Sequence, residues 1–205
     1  MGQALDDSMD PRLTAWIETN LSCTITGFER QHRWRPAWYA EITTTGGEQR
    51  SLYIRTDRPE AETDEAFLRE YRVLRVLESE GIPVPHSYGL CPEPLAIVQE
   101  RAPGRPDLST AESDAERAAV LNQYMEVLAR MHQLDPSRFD GTGLVFPDGP
   151  YEIAVGHFDT FVDKFRSAKR RPEPIIEFLI GWIHRNVPRH RDRVSFLVGD
   201  VGLKA

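Results

Sequence analysis

Cysteine is scarce: Cys23 and Cys91 are the two in 205 residues, and they lie far apart. A pair so placed supports neither a disulfide framework nor a metal-binding cluster, and reads as two reduced, partly buried thiols. No stretch approaches the roughly 18 consecutive apolar residues that a membrane helix needs. The first residues, MGQALDDSMDPR, carry acids where a signal peptide would carry bases followed by an apolar core. The expectation is a cytoplasmic chain with no membrane partner. Glycine is missing from every pattern that would use it for chemistry: there is no Gly-x-Ser-x-Gly elbow, no Walker loop and no dinucleotide fingerprint. The six histidines are scattered, with no His-x-x-x-His pair. Positive charge is also in deficit, the net being -7, which argues against a nucleic-acid partner. The short basic runs RSAKRRPEP and HRNVPRHRDR are flanked by acids and read as solvated surface.

What is present suffices for one sizeable core or two small lobes, with 40% hydrophobic residues. Leu13, Trp16, Ile17 and Leu21 recur at helical spacing after Pro11, which predicts a short amphipathic helix over 11–21. Three β-prone runs follow, TITGF, WYAEITTT and SLYIR, the last two separated by a Gly-Gly turn suited to a hairpin. EAFLREYRVLRVLESEG sets Phe67, Tyr71, Leu74 and Leu77 on one helical face and stops at Gly81. IPVPHSYGL is extended by its prolines, and PLAIVQE is a short strand ending in the turn-rich ERAPGRPD. A lobe boundary falls near residue 105. Beyond it, Val120, Tyr124, Val127, Leu128, Met131 and Leu134 mark a long helix that ends before Pro136, and 136–156 reads as loop. FDTFVDKF and PIIEFLIGWIHRNVP are again helical, the run Ile175 to Ile183 suiting burial on most sides. VSFLV predicts a final strand delivering Gly199 and Asp200.

The parts that could do chemistry are a cation on a central strand, Arg55, an anion on the next helix, Glu70, and a strand-end carboxylate, Asp200. Phosphoryl transfer uses such a set: a cation against nucleotide phosphates, an anion that holds it, and a carboxylate that orients the acceptor hydroxyl. Each residue alone has an ordinary structural explanation as a solvated strand arginine, a helix-surface glutamate or a turn-capping aspartate.

Taken together, SLYIRTDRP, REYRVLRVLESEGIPVPHSYGL, AIVQERAPG, LARMHQLDP, RPEPIIEFLIGWIHRNVP and FLVGDVG resemble the aminoglycoside phosphotransferase and choline kinase superfamily from about residue 22 onward. The resemblance implies an α+β, bilobal, protein-kinase-like fold with ATP between the lobes. Residues 1–104 would form an N-lobe of antiparallel sheet and helix, and 105–205 an incomplete helical C-lobe. It makes Arg55 the cation on the α- and β-phosphates, Glu70 its ion-pair partner, Glu100 and Arg101 the adenine hinge, and Asp200 the catalytic carboxylate. Two departures stand out. Where the superfamily has a phosphate loop of small residues, this chain has ERQHRWRPAWYAEI; Arg33 and Arg35 there are either direct phosphate contacts or a basic hairpin tip. In the catalytic loop Val198 stands for the usual His, and Ala205, five after Asp200, for the magnesium-binding Asn. Magnesium is implied by the resemblance, but its protein ligands have no counterpart in this sequence, so residues 1–205 alone are expected to turn over negligibly. The expected reaction is ATP-dependent transfer to a small-molecule hydroxyl, the alternative being a degenerate module that binds nucleotide or a protein partner. The apolar faces of FLIGWI and SFLV are expected to lie partly exposed and to favour self-association.

Overall fold

The computed structural model describes residues 8–31, 35–57, 64–105, 107–156, 158–188 and 193–197. Helix α1 (Pro11–Leu21) precedes strands β1 (Cys23–Gln31), β2 (Ala37–Thr44) and β3 (Gln49–Thr56), helix α2 (Glu65–Ser79), and strands β4 (Ser87–Pro92) and β5 (Leu95–Glu100). Helices α3 (Asp114–His132), α4 (Pro150–Val155), α5 (Phe158–Ala168) and α6 (Pro174–Arg185) follow. The five strands form one antiparallel sheet in the order β1-β2-β3-β5-β4.

Alternation along the strands decides which face goes where. Trp38, Ala40, Ile42, Leu52, Ile54, Ala96 and Val98 share one face and are buried beneath Leu13 and Ile17 of α1. Burying each of these two helix side chains contributes about 1.5–3 kcal/mol. Helix α1 can start there because Pro11 supplies a preset first-turn φ and the Asp10 carboxylate accepts from the Arg12 N–H at 2.8 Å. The Arg12 guanidinium, which also donates to this carboxylate, and then the backbone bond hold the Asp10 carboxyl below the usual range. Close approach of α1 to β4 requires glycine at position 89, where a Cβ would stand 2.8 Å from the Trp16 ring. The opposite face carries Tyr39 and Tyr53, partners in register, and Arg55, two residues beyond Tyr53 and opposite Ala37; Arg55 faces Phe67 of α2, and Tyr39 lies under Arg101.

A second core lies where α2 meets the helical part. Leu77, Ile82, Met131 and Phe139 are buried there, with Val73, Val127, Leu134 and Phe196 packed against them. Phe139 and Phe196 stack with centroids 4.5 Å apart. Arg130 of α3 donates to the Gly81 carbonyl at 2.6 Å, and Gly81 itself, at φ 71°, closes α2 as its sequence position foretold.

The helical part departs from the sequence expectations in three places. Residues 136–156 are not all loop: Pro136–Phe139 form a single 3-10 turn and Pro150–Val155 form α4, each opening on a proline that suits a first helical position. The end of the expected strand VSFLV has no strand geometry over 194–197; Phe196 is held by its stack on Phe139 instead of by a sheet neighbour. The run Ile175 to Ile183 is not buried on most sides. Ile180 is the buried member, whereas Ile175, Phe178 and Trp182 are 74%, 63% and 51% exposed. Among the described residues α6 has no second layer to cover that face.

Helix α6 is tied to α5 mainly by charge. Glu177 accepts from Arg166 at 2.9 Å and from Lys169 at 2.5 Å. These two cations, Arg166 first, depress the Glu177 carboxyl to about 2 from its ordinary 4.5. A depressed folded value means that the contribution is whole above pH 4.5 and is lost as pH falls through about 2. Glu177→Gln is therefore expected to lower the melting temperature by a constant amount at neutral and mildly acidic pH. The gap to the parent chain closes between pH 4.5 and 2 when melting is followed by circular dichroism.

Candidate active site

Arg55 sits on the central strand β3, opposite Ala37 of β2 and Ile97 of β5. Its side chain is 15% exposed, and its guanidinium lies 5.6 Å from the centroid of Phe67. Phe67 and Glu70 are three residues apart on α2 and so share a helix face. Burial of the phenyl ring thereby turns the carboxylate toward the strand. Arg55 Nη2 donates to Glu70 Oε1 at 2.7 Å. The pairing read from the sequence is present, joining sheet to helix.

Arg35, in the link between β1 and β2, reaches the same carboxylate: its Nη1 donates to Glu70 Oε2 at 3.3 Å. Glu70 thus lies between two guanidiniums from two different segments. Nothing in the spacing of Arg35 and Glu70, 35 positions apart along the chain, announces that contact. Arg33 and Asp200 lie outside the described residues. The approach to Asp200 is described as far as Leu197, with Phe196, four residues before the aspartate, anchored on the second core and Arg193 donating to the His132 carbonyl at 3.2 Å.

The chain at Glu100 and Arg101, expected to be the adenine hinge, is tightly knitted. The Glu100 N–H donates to the His86 carbonyl at 2.8 Å, and the Arg101 N–H to the Ser51 carbonyl at 2.9 Å. Both donors are therefore used within the sheet, and a base held here would take its N–H bond from Ala102 or later. The Arg101 guanidinium lies over the Tyr39 ring at 3.9 Å, with Nη1 3.6 Å from Glu41 Oε1. Glu41 Oε2 in turn accepts from Ser51 Oγ at 2.6 Å. Tyr39 and Tyr53, 5.7 Å apart, complete an aromatic surface on the face that carries Arg55. The sequence reading singled out neither tyrosine. The signal was there, since alternation in WYAEI and SLYIR places both on the side of Arg55.

A cavity of about 580 Å³ opens on the other face of the sheet, lined by Asp10, Leu13, Arg30 and Trp38, and includes none of these site residues. Among the described residues no group of three or more histidines, cysteines or carboxylates could hold a metal ion.

A five-stranded antiparallel sheet whose central cation pairs with a helix glutamate, followed by a short connection and helices, defines a kinase-like α+β fold. The chain belongs to the phosphotransferase enzyme family, whose profile matches residues 36–200. In fold it is similar to the apo macrolide 2'-phosphotransferase of Brachybacterium faecium, with a TM-score of 0.61 and 16% identity over 87% of this chain and 61% of that one. Among curated proteins it is similar to mouse acyl-CoA dehydrogenase family member 10, 28% identical over 149 residues, 67% of this chain and 13% of that protein. It is likewise 28% identical to human acyl-CoA dehydrogenase family member 11 over 147 residues, 66% of this chain and 18% of that protein. The chain thus spans less than a fifth of the length of these curated relatives.

Proposed function

We propose that the chain carries the nucleotide half of an ATP-dependent phosphotransferase acting on a small-molecule hydroxyl. The observation that carries this reading is the 2.7 Å pair between Arg55 of β3 and Glu70 of α2. A guanidinium fixed by a carboxylate at one end keeps its remaining N–H groups aimed and unreorganised, which is how a cation best stabilises charge on phosphate oxygens. In this reading Arg55 contacts the α- and β-phosphates, and Glu70 and Phe67 position it. The base stacks near Tyr39 and Tyr53 against the hinge at Glu100 and Arg101. Asp200 accepts or aligns the hydroxyl proton of the acceptor. Magnesium, when bound to such a site, neutralises phosphate charge; no residue described here is assigned to it.

The acceptor classes that the reading admits are aminoglycosides, amino alcohols, sugars and macrolides, the last from the name of the structural neighbour. Because residues 1–205 alone are expected to turn over negligibly, the test follows transfer of labelled γ-phosphate from ATP, with magnesium, to each class in turn by the product of the whole source reading frame, with Asp200→Asn in that product as the control. Transfer that vanishes in the variant supports the reading. Nucleotide binding without transfer to any acceptor favours the non-catalytic alternative.

A further inference from the structure

We infer that Gln99, on β5 immediately before the expected hinge, reads the edge of the nucleobase, and that its carboxamide, able to turn over, admits both adenine and guanine. The inference rests on the nucleotide reading above and deepens it by naming the base class and the side chain that recognises it.

Register places Gln99 on the site face. Ala96 and Val98 of β5 are buried in the core under α1, so alternation turns Ile97 and Gln99 to the face that carries Arg55. Tyr39 of β2, Tyr53 of β3, Gln99 of β5 and Ser87 of β4 are successive partners across the sheet. Directly opposite residues of an antiparallel pair share a face, with Cβ atoms about 4.5–5.5 Å apart. The four side chains therefore make one row, two phenol rings followed by an amide and a hydroxyl, and Arg55 stands in the adjoining row, two residues along β3 from Tyr53. A nucleotide with phosphates on Arg55 and its base on the tyrosines brings the edge of that base to the amide.

The polar end of the row is unused. Gln99 is 5% exposed and Ser87 4%. Among the described residues the Gln99 carboxamide makes no hydrogen bond, and the buried Ser87 Oγ has no partner. Buried polar groups are ordinarily satisfied, so two neighbours left open at one site call for a polar ligand. The backbone beside them cannot serve that ligand in their place, because the Glu100 and Arg101 N–H groups are occupied by the His86 and Ser51 carbonyls. A carboxamide sets an acceptor beside a pair of donors. In one orientation it matches N6–H and N1 of adenine, and turned over it matches N1–H and O6 of guanine. The Ser87 hydroxyl, donor and acceptor alike, suits either orientation.

The experiment is calorimetric titration of the full chain, with magnesium, by ADP, GDP and purine riboside diphosphate. All three keep the α- and β-phosphates, and the last lacks the exocyclic group of the base edge. The series is repeated on Gln99→Met, which keeps the length of the side chain without its amide, after circular dichroism confirms the fold. Expected are ADP and GDP binding within about tenfold of each other and purine riboside diphosphate binding at least about tenfold more weakly. Gln99→Met should bring ADP and GDP down to the level of the riboside and affect the riboside much less. A riboside bound as tightly as ADP, no binding of GDP, or an equal loss of all three ligands in Gln99→Met would each overturn the inference. The parent series tests the edge contact by itself, whatever the fold of the variant. If ADP binds the parent and Gln99→Met alike, the nucleotide reading stands and the assignment of Gln99 fails. If none of the diphosphates binds the folded parent, the nucleotide reading fails and the inference with it.

Discussion

Replacing Arg55 by alanine is expected to weaken binding of a non-hydrolysable ATP analogue roughly 30- to 150-fold. That range follows from losing charge-assisted hydrogen bonds to phosphate worth about 2–3 kcal/mol, at about 1.4 kcal/mol per tenfold. The effect on folding should be much smaller. Glu70 is 38% exposed and retains Arg35, so the lost pair resembles a surface ion pair worth less than about 1 kcal/mol. A large loss of affinity beside a small change in melting temperature is the signature to look for. Arg55→Lys keeps the charge but loses the fork that can serve Glu70 and phosphate at once, so it should recover only part of the affinity. Calorimetry and thermal melts on the same three proteins check all of this.

Phe67→Ala should be the most destabilising single change around the site. Phe67 is 2% exposed, forms the floor beneath the Arg55 guanidinium and fixes the face that α2 turns to the sheet. Truncating a buried phenylalanine costs about 3–5 kcal/mol, and in a chain of this size each kcal/mol moves the midpoint roughly 2–4 °C. A fall on the order of ten degrees is expected. Phe67→Leu keeps most of the apolar volume and should recover more than half of it. Because Glu70 is one turn along the same face, Phe67→Ala should also weaken nucleotide binding at temperatures where it remains folded. If it melts like the parent, α2 is held by something other than this ring.

The sheet face that carries the site was legible because alternation is a local property. WYAEITTT and SLYIR specify by themselves which side chains share a face with Arg55, and EAFLREY specifies that Phe67 and Glu70 share one too. The Arg55–Glu70 pair needs little more than those two local facts plus a helix laid on the sheet. Arg35 is a different case. Its contact with Glu70 spans 35 positions, and no periodicity encodes a contact at that separation. The helical part was least legible for a related reason. The apolar run of α6 signals burial, but burial is a property of what packs on it, and the described residues leave Ile175, Phe178 and Trp182 exposed. Phe196 was read as part of a strand from its apolar neighbours, yet a single stack on Phe139 fixes it without a ladder. Short apolar runs do not distinguish these outcomes.

The central proposal, that the sheet face carrying Arg55 binds ATP through Arg55 held by Glu70, is tested most directly by calorimetric titration of a non-hydrolysable ATP analogue into the parent chain and into Arg55→Ala. The account predicts saturable binding by the parent and a loss of at least about thirtyfold in the variant. No detectable binding by the folded parent chain at millimolar nucleotide, or equal binding by both proteins, would contradict it.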